Sequence, residues 1–281
     1  MNDLNTVITG ECIQLIPDEP AKQWFSSQIS NLSAGSSFFL AFGMAPKKVG
    51  KQPIILSNAL IGALSRINPD ANQVNWSLDE LVRLALLLQL PMEGRNESIT
   101  KLIATSDIRE QKLIFKSLQY LQQADDFELQ VIDGIRTNMT DVYDAIALHS
   151  SYPKKYFKEG AWNQMVLKGI FMERPIYRIY GLDERRNADL ARIAIDFAHE
   201  RQSAGRKVTP ELWRLVVPFV DDAVMEDLIK VAQSSDELEQ DAGKRALTES
   251  KHQAAHTWLK QAKQSSELRS WNDIGSAIFE A

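Results

Sequence analysis

Apolar residues recur at helical spacing along almost the whole chain, and runs alternating with period two are scarce. In SLDELVRLALLLQLP, Leu78, Leu81, Val82, Ala85 and Leu88 form one stripe, with Asp79, Glu80, Arg83 and Gln89 off it. Ser77 and Glu80 make the Ser-x-x-Glu pattern that starts a helix, and Pro91 follows its end. Thr209-Pro210 is a second start signal, a cap hydroxyl followed by a proline whose missing N–H costs nothing there. The strand-like run VGKQPIIL is broken by lysine, glutamine and proline. The spacing predicts an all-α protein, with the weakest pattern over residues 44–60.

An internal echo adds packing information. ITKLIATSDIREQKLIFKSL at 99–118 aligns with LIKVAQSSDELEQDAGKRAL at 228–247, matching Ser106-Asp107 with Ser235-Asp236 and Glu110-Gln111 with Glu239-Gln240. In both copies Asp-x-x-Glu is placed to cap a helix after a tight polar turn. A repeated helix–turn–helix is the unit of packed helical hairpins, in the style of a HEAT-like, right-angled or solenoid-like array. The breaks at 44–53, 68–76, 91–96, 150–160, 181–187 and 203–209 have inter-helix loop lengths. With only a soft change of composition near 150, residues 1–281 read as a single helical domain.

Composition excludes whole classes. With 44% hydrophobic residues the chain can bury a core, so disorder is not its main state. A formal net charge of −5 argues against nucleic acid as the main partner. One cysteine, Cys12, leaves no disulfide framework. Neither a signal peptide nor a transmembrane segment is visible, so the expected location is the cytoplasm.

Short catalytic motifs nearly fit and then fail. GMAPKKVGK at 43–51 has too many residues between its glycines for a phosphate-binding loop, and Gln52 stands where Ser or Thr is needed. A solvated turn between Pro46 and Pro53 is the expected structure there. His199-Glu200 lacks the second histidine of a zinc protease, since position 203 is serine. His252 and His256 share i,i+4 spacing with Glu249 nearby, which leaves a metal site as the lesser alternative to two surface histidines. No cofactor signature is found.

Residues 162–219 stand apart. Leu190, Ala191, Ala194, Ile195 and Ala198 make the inner face of one helix, with Arg192, Asp196, His199 and Glu200 outside. That spacing pairs Arg192 with Asp196 and lets Asp196 orient the His199 ring. Arg174, Tyr177, Arg178 and Tyr180 crowd the turn before Gly181-Leu182-Asp183, and with His199, Arg201, Trp213 and Arg214 they suit an anionic or aromatic ligand. The same cluster also fits a partner interface or a polar network that locks helix packing.

The string NQMVLKGIFMERPIYRIYGLDERRNADLARIAIDFAHERQSAGRKVTPELWRLVVPF resembles the signature of the EboA family. Matching positions include Asn163, Lys168, Pro175, Gly181, Asp183, Arg185, Asn187, Arg192, Asp196, His199, Glu200, Arg201, Glu211, Trp213 and Arg214. FFLAFGMAPKKVGKQPI, at 38–54, is similar to a second, weaker block. Phe197, Gln202 and Ile195 depart from the family pattern of the first, longer string, and Gln202 removes a ring from the polar face.

The resemblance implies a cytoplasmic helical protein acting in specialised-metabolite trafficking or export beside other ebo-type operon products. Among these is a prenyltransferase-like membrane component. It implies no known reaction. The leading expectation is a non-catalytic adaptor or small-molecule carrier, with Lys168, Arg174, Tyr177, Arg178, Asp183, Arg185, His199, Arg201, Trp213 and Arg214 meeting ligand or partner. The alternative is an enzyme using His199 with Asp196 or Glu200 as its acid–base group.

Overall fold

The computed structural model describes residues 2–262 and 268–280. Among these the fold is all-α, and the one sheet is a short antiparallel pair of Pro53–Ile54 with Trp76–Ser77. The chain forms two compact units, Met1–Phe157 and Lys158–Ala281.

The first unit begins with α1 (Asn2–Leu15), α2 (Glu19–Asn31), α3 (Ser36–Val49), α4 (Asn58–Ser65) and α5 (Leu78–Gln89). It continues with α6 (Arg95–Thr105), α7 (Ile108–Leu118), α8 (Glu128–Arg136), α9 (Thr140–Ala147) and α10 (Tyr152–Tyr156). Helix α5 is central, packed on α1, α2, α3 and α7. Its apolar stripe is buried as the periodicity requires, apart from half-buried Leu88.

The polar side of α5 is buried as well, which the periodicity did not indicate. Helix α3 extends to Val49, through the expected turn, with Pro46 inside it. Proline has no N–H, so the carbonyl of Phe42, four residues back, loses its helical donor. Arg83 Nε donates to that carbonyl at 2.9 Å, and its guanidinium lies 4.7 Å from the Phe42 ring centre. The rest of the fork meets Glu110 at 2.9 Å and Asp79 at 3.6 Å. Beside it Lys116 donates to Glu80 at 2.7 Å and to the Asn75 carbonyl at 3.1 Å, its ammonium 3.8 Å from the Trp76 ring centre. Glu80 also accepts from the Ser77 amide, one half of the expected capping box. Ion pairs thus take the place of solvent on this face, as burial of charge demands.

The second unit contains α11 (Glu159–Phe171), α12 (Ala188–Ser203), α13 (Trp213–Val216), α14 (Asp222–Ala232), α15 (Glu237–Glu249), α16 (Gln253–Gln261) and α17 (Trp271–Phe279). In α12, Leu190, Ala191, Ala194 and Ala198 are buried and Ile195 half-buried, while Arg192, Asp196, His199 and Glu200 are exposed. The Thr209 hydroxyl makes no cap bond, and Pro210–Leu212 is a 3₁₀ turn leading into α13.

Both copies of the echo fold as helix–turn–helix. The Asp107 carboxylate accepts from the Glu110 amide at 2.9 Å, and that of Asp236 accepts from Leu238 and Glu239 at 3.0 and 3.2 Å. The copies are local hairpins in different units, and helix lengths run from 4 to 16 residues. No helix among the described residues is long and apolar enough to cross a membrane.

Candidate functional site

The polar cluster at 174–214 separates into internal ties and a cleft lining. Asp183 sits in the loop before α12, where it accepts both arms of Arg214: Nε at 2.7 Å and Nη2 at 2.6 Å. Arg186 lies 3.6 Å from the same carboxylate and donates to the Arg214 carbonyl at 2.9 Å. Burial pushes the Asp183 carboxyl up, but the bonds and charge of Arg214 outweigh it and hold it below the usual range. Arg185 covers the buried Trp162 ring, 4.6 Å from its centre. Trp213 is 1% exposed and belongs to the core. Lys168 is half-buried on α11, and burial lowers its ammonium pKa.

Tyr177 and Arg178 anchor α17. The Tyr177 hydroxyl donates to Glu280 at 2.8 Å, and Arg178 pairs with the same carboxylate. Ser276, Tyr177 and Arg178 together hold the Glu280 carboxyl down to about 2. The helix approaches so closely that a Cβ on Gly275 would lie 2.3 Å from the Tyr177 ring, so this position admits no side chain without movement. Underneath, Glu211 is 1% exposed; Oε1 accepts from the Tyr177 amide at 2.6 Å and Oε2 is buried without a partner.

Burial pushes the Glu211 carboxyl up from 4.5 to about 7, against the opposing pull of the Tyr177 amide and Arg214. A carboxyl raised on folding binds its proton more tightly in the folded state. Stability is therefore lost as pH rises from about 4.5 to about 7, by about 3 kcal/mol, and stays lost above. Glu211→Gln should remove that slope: thermal melts of the variant and wild type should converge near pH 5, with the variant melting higher at pH 8. Parallel melting curves across this range would count against a raised Glu211.

The second unit holds a cleft of about 640 Å³. Its apolar lining includes Ile170, Ile176, Phe197, Val208, Leu238 and Phe279. Arg174, Arg201 and Lys207 bring cations to it, and Glu173, Asp236 and Glu239 bring carboxylates. Of the residues singled out in the sequence, Arg174 and Arg201 line this cleft; the other eight do not. The loop 204–209 delivers Lys207 and Thr209, while α17 delivers Ala277, Ile278 and Phe279. Asp236 and Glu239 were visible as the second copy of the echo, but nothing local in the sequence marks Phe279.

The first unit holds a smaller cleft of about 360 Å³ at the matching place in its hairpin, with Asp107, Arg109 and Glu110 standing where Asp236, Leu238 and Glu239 stand in the second. Pro46 apart, it is lined by polar and charged side chains, including Asp79, Glu80 and Arg83 of the buried network.

The acid–base and metal alternatives rearrange. His199 Nε2 meets Asp227 of α14 at 2.6 Å, while Asp196 pairs with Arg192 at 3.4 Å. The neighbouring helix, unseen by i,i+4 reasoning, supplies the histidine's partner. Neither His199 nor Glu200 lines the cleft. His252 precedes α16 instead of lying on it and pairs with Asp222 at 3.2 Å, and His256 is exposed. Glu249 bonds the Trp271 indole at 2.9 Å. No group of three potential metal ligands occurs among the described residues.

No match to the chain is found among curated proteins or among solved structures. A family model described as metabolite traffic protein EboA matches residues 10–217, well over half of the chain. The match contains the α11–α12 wall of the cleft and ends before the walls from α15 and α17. The sequence resemblance and this span agree, and the chain belongs to the EboA family.

Proposed function

We propose that the protein is a non-catalytic carrier of a small molecule in metabolite traffic, and that the cleft of the second unit holds the cargo. The observation that carries this reading is the cleft's combination of size with both apolar and charged lining side chains, the usual build of a small-molecule site. The adaptor version drew on Trp213 as an interface anchor, and a side chain 1% exposed presents little to a partner. Exchange of cargo with other ebo-type operon proteins, including the prenyltransferase-like membrane component, belongs to the same proposal. So does action in the cytoplasm.

Ala277 is exposed and lines the cleft, so a large side chain there fills the space with little disturbance of the core. Ala277→Trp is expected to abolish retention of cargo, while His199→Gln leaves it unchanged, as measured by mass spectrometry of the native protein. Cargo retained by Ala277→Trp would contradict the carrier site. Turnover of cargo that His199→Gln abolishes would favour the enzyme alternative.

A further inference from the structure

The lining of this cleft also specifies a class of ligand, an inference that rests on the carrier reading above. Phe197 forms part of the wall and packs against exposed Phe171, with ring centres 4.8 Å apart and planes tilted by 49°. The Arg201 guanidinium lies 5.6 Å from the Phe197 ring centre. Its Nε donates to the Lys207 carbonyl at 2.5 Å, which fixes the plane of the fork. Among the described residues no carboxylate pairs with Arg201.

The carboxylates nearby are mostly engaged: Asp236 caps α15, and Glu239 accepts the Ser234 hydroxyl at 2.7 Å, leaving exposed Glu173. In the same lining the Thr209 hydroxyl oxygen is buried with no partner, a position that normally calls for one. Its sequence signal was that of a helix cap, and it caps nothing.

We propose that the cleft takes a flat aromatic carboxylic acid bearing a further polar group on its ring. The ring lies against Phe197, the carboxylate bonds the terminal nitrogens of Arg201, and the ring substituent bonds Thr209 Oγ1. A guanidinium beside an aromatic wall suits such a molecule because it binds carboxylates in plane and tolerates ring stacking.

Fluorescence titration of the full chain with 2-naphthol, 2-naphthoate and 6-hydroxy-2-naphthoate tests this. Wild type should bind 2-naphthoate about tenfold more tightly than 2-naphthol, and gain a further several-fold from the hydroxyl, on the order of one hydrogen bond. Arg201→Gln should lose the carboxylate preference with 2-naphthol unaffected, and Arg201→Lys should restore part of it. Thr209→Val should lose only the hydroxyl gain. Equal binding of 2-naphthol and 2-naphthoate by wild type, or equal losses for both in Arg201→Gln, would overturn the assignment to Arg201. An undiminished hydroxyl gain in Thr209→Val would overturn that to Thr209. If Ala277→Trp binds all three probes as wild type does, it is the carrier site itself that fails.

Discussion

Arg83→Ala should destabilise the protein by about 3–5 kcal/mol, enough to consume much of the stability of an ordinary domain. The side chain is 8% exposed and serves three acceptors, the Phe42 carbonyl, Glu110 and Asp79. Truncation leaves that carbonyl without the donor that Pro46 also withholds, and leaves Asp79 buried without its cation. Arg83→Lys keeps a charge but has no planar fork, so it should recover only part of the loss. Urea denaturation followed by circular dichroism measures both. A loss under 1 kcal/mol for Arg83→Ala would show that water reaches these groups and that the network carries little.

Gly243→Val should be comparably damaging, by about 3 kcal/mol or more, and should act in the second unit. A Cβ at this position would sit 2.4 Å from the Ala232 amide nitrogen and 2.8 Å from its Cα. Both are backbone atoms of α14, so the helices must part for the residue to fit. Because α15 carries Leu238 and Glu239 into the cleft, the variant should lose cargo along with stability. Gly62→Ala offers the contrast. Nothing lies within 4 Å of a Cβ there, so in the body of α4 it should gain about 0.5–1 kcal/mol from helix propensity alone. Calorimetric melts of the two variants should therefore move in opposite directions.

What the sequence made legible follows from the range of each signal. The inner face of α12, the Asp107 and Asp236 caps and the Arg192–Asp196 pair rest on contacts three or four residues apart, and all form. The errors come from partners distant in sequence. Arg83 breaks a leucine run for the sake of a carbonyl 41 residues away. His199 finds Asp227, 28 residues on, before its own neighbour Asp196. Thr209-Pro210 has the form of a cap, yet Thr209 caps nothing and lines a cleft whose other sides come from α15 and α17. The family-like segment held all three of the cleft's cations, Arg174, Arg201 and Lys207, of which the first two stood out by residue type. It also held residues of similar chemistry, such as Asp183 and Arg214, that tie the unit together. Residue type alone does not separate the two roles; burial and reciprocal bonding do.

Native mass spectrometry of the protein purified from its own host, beside Ala277→Trp and Arg174→Ala/Arg201→Ala, shows directly whether the cleft holds cargo. A carrier should hold a small molecule in the wild type, lose it in Ala277→Trp and retain less of it in the arginine double variant, with all three proteins folded. Wild-type protein that emerges bare, or a bound molecule that persists when the cleft is filled, would contradict the carrier role.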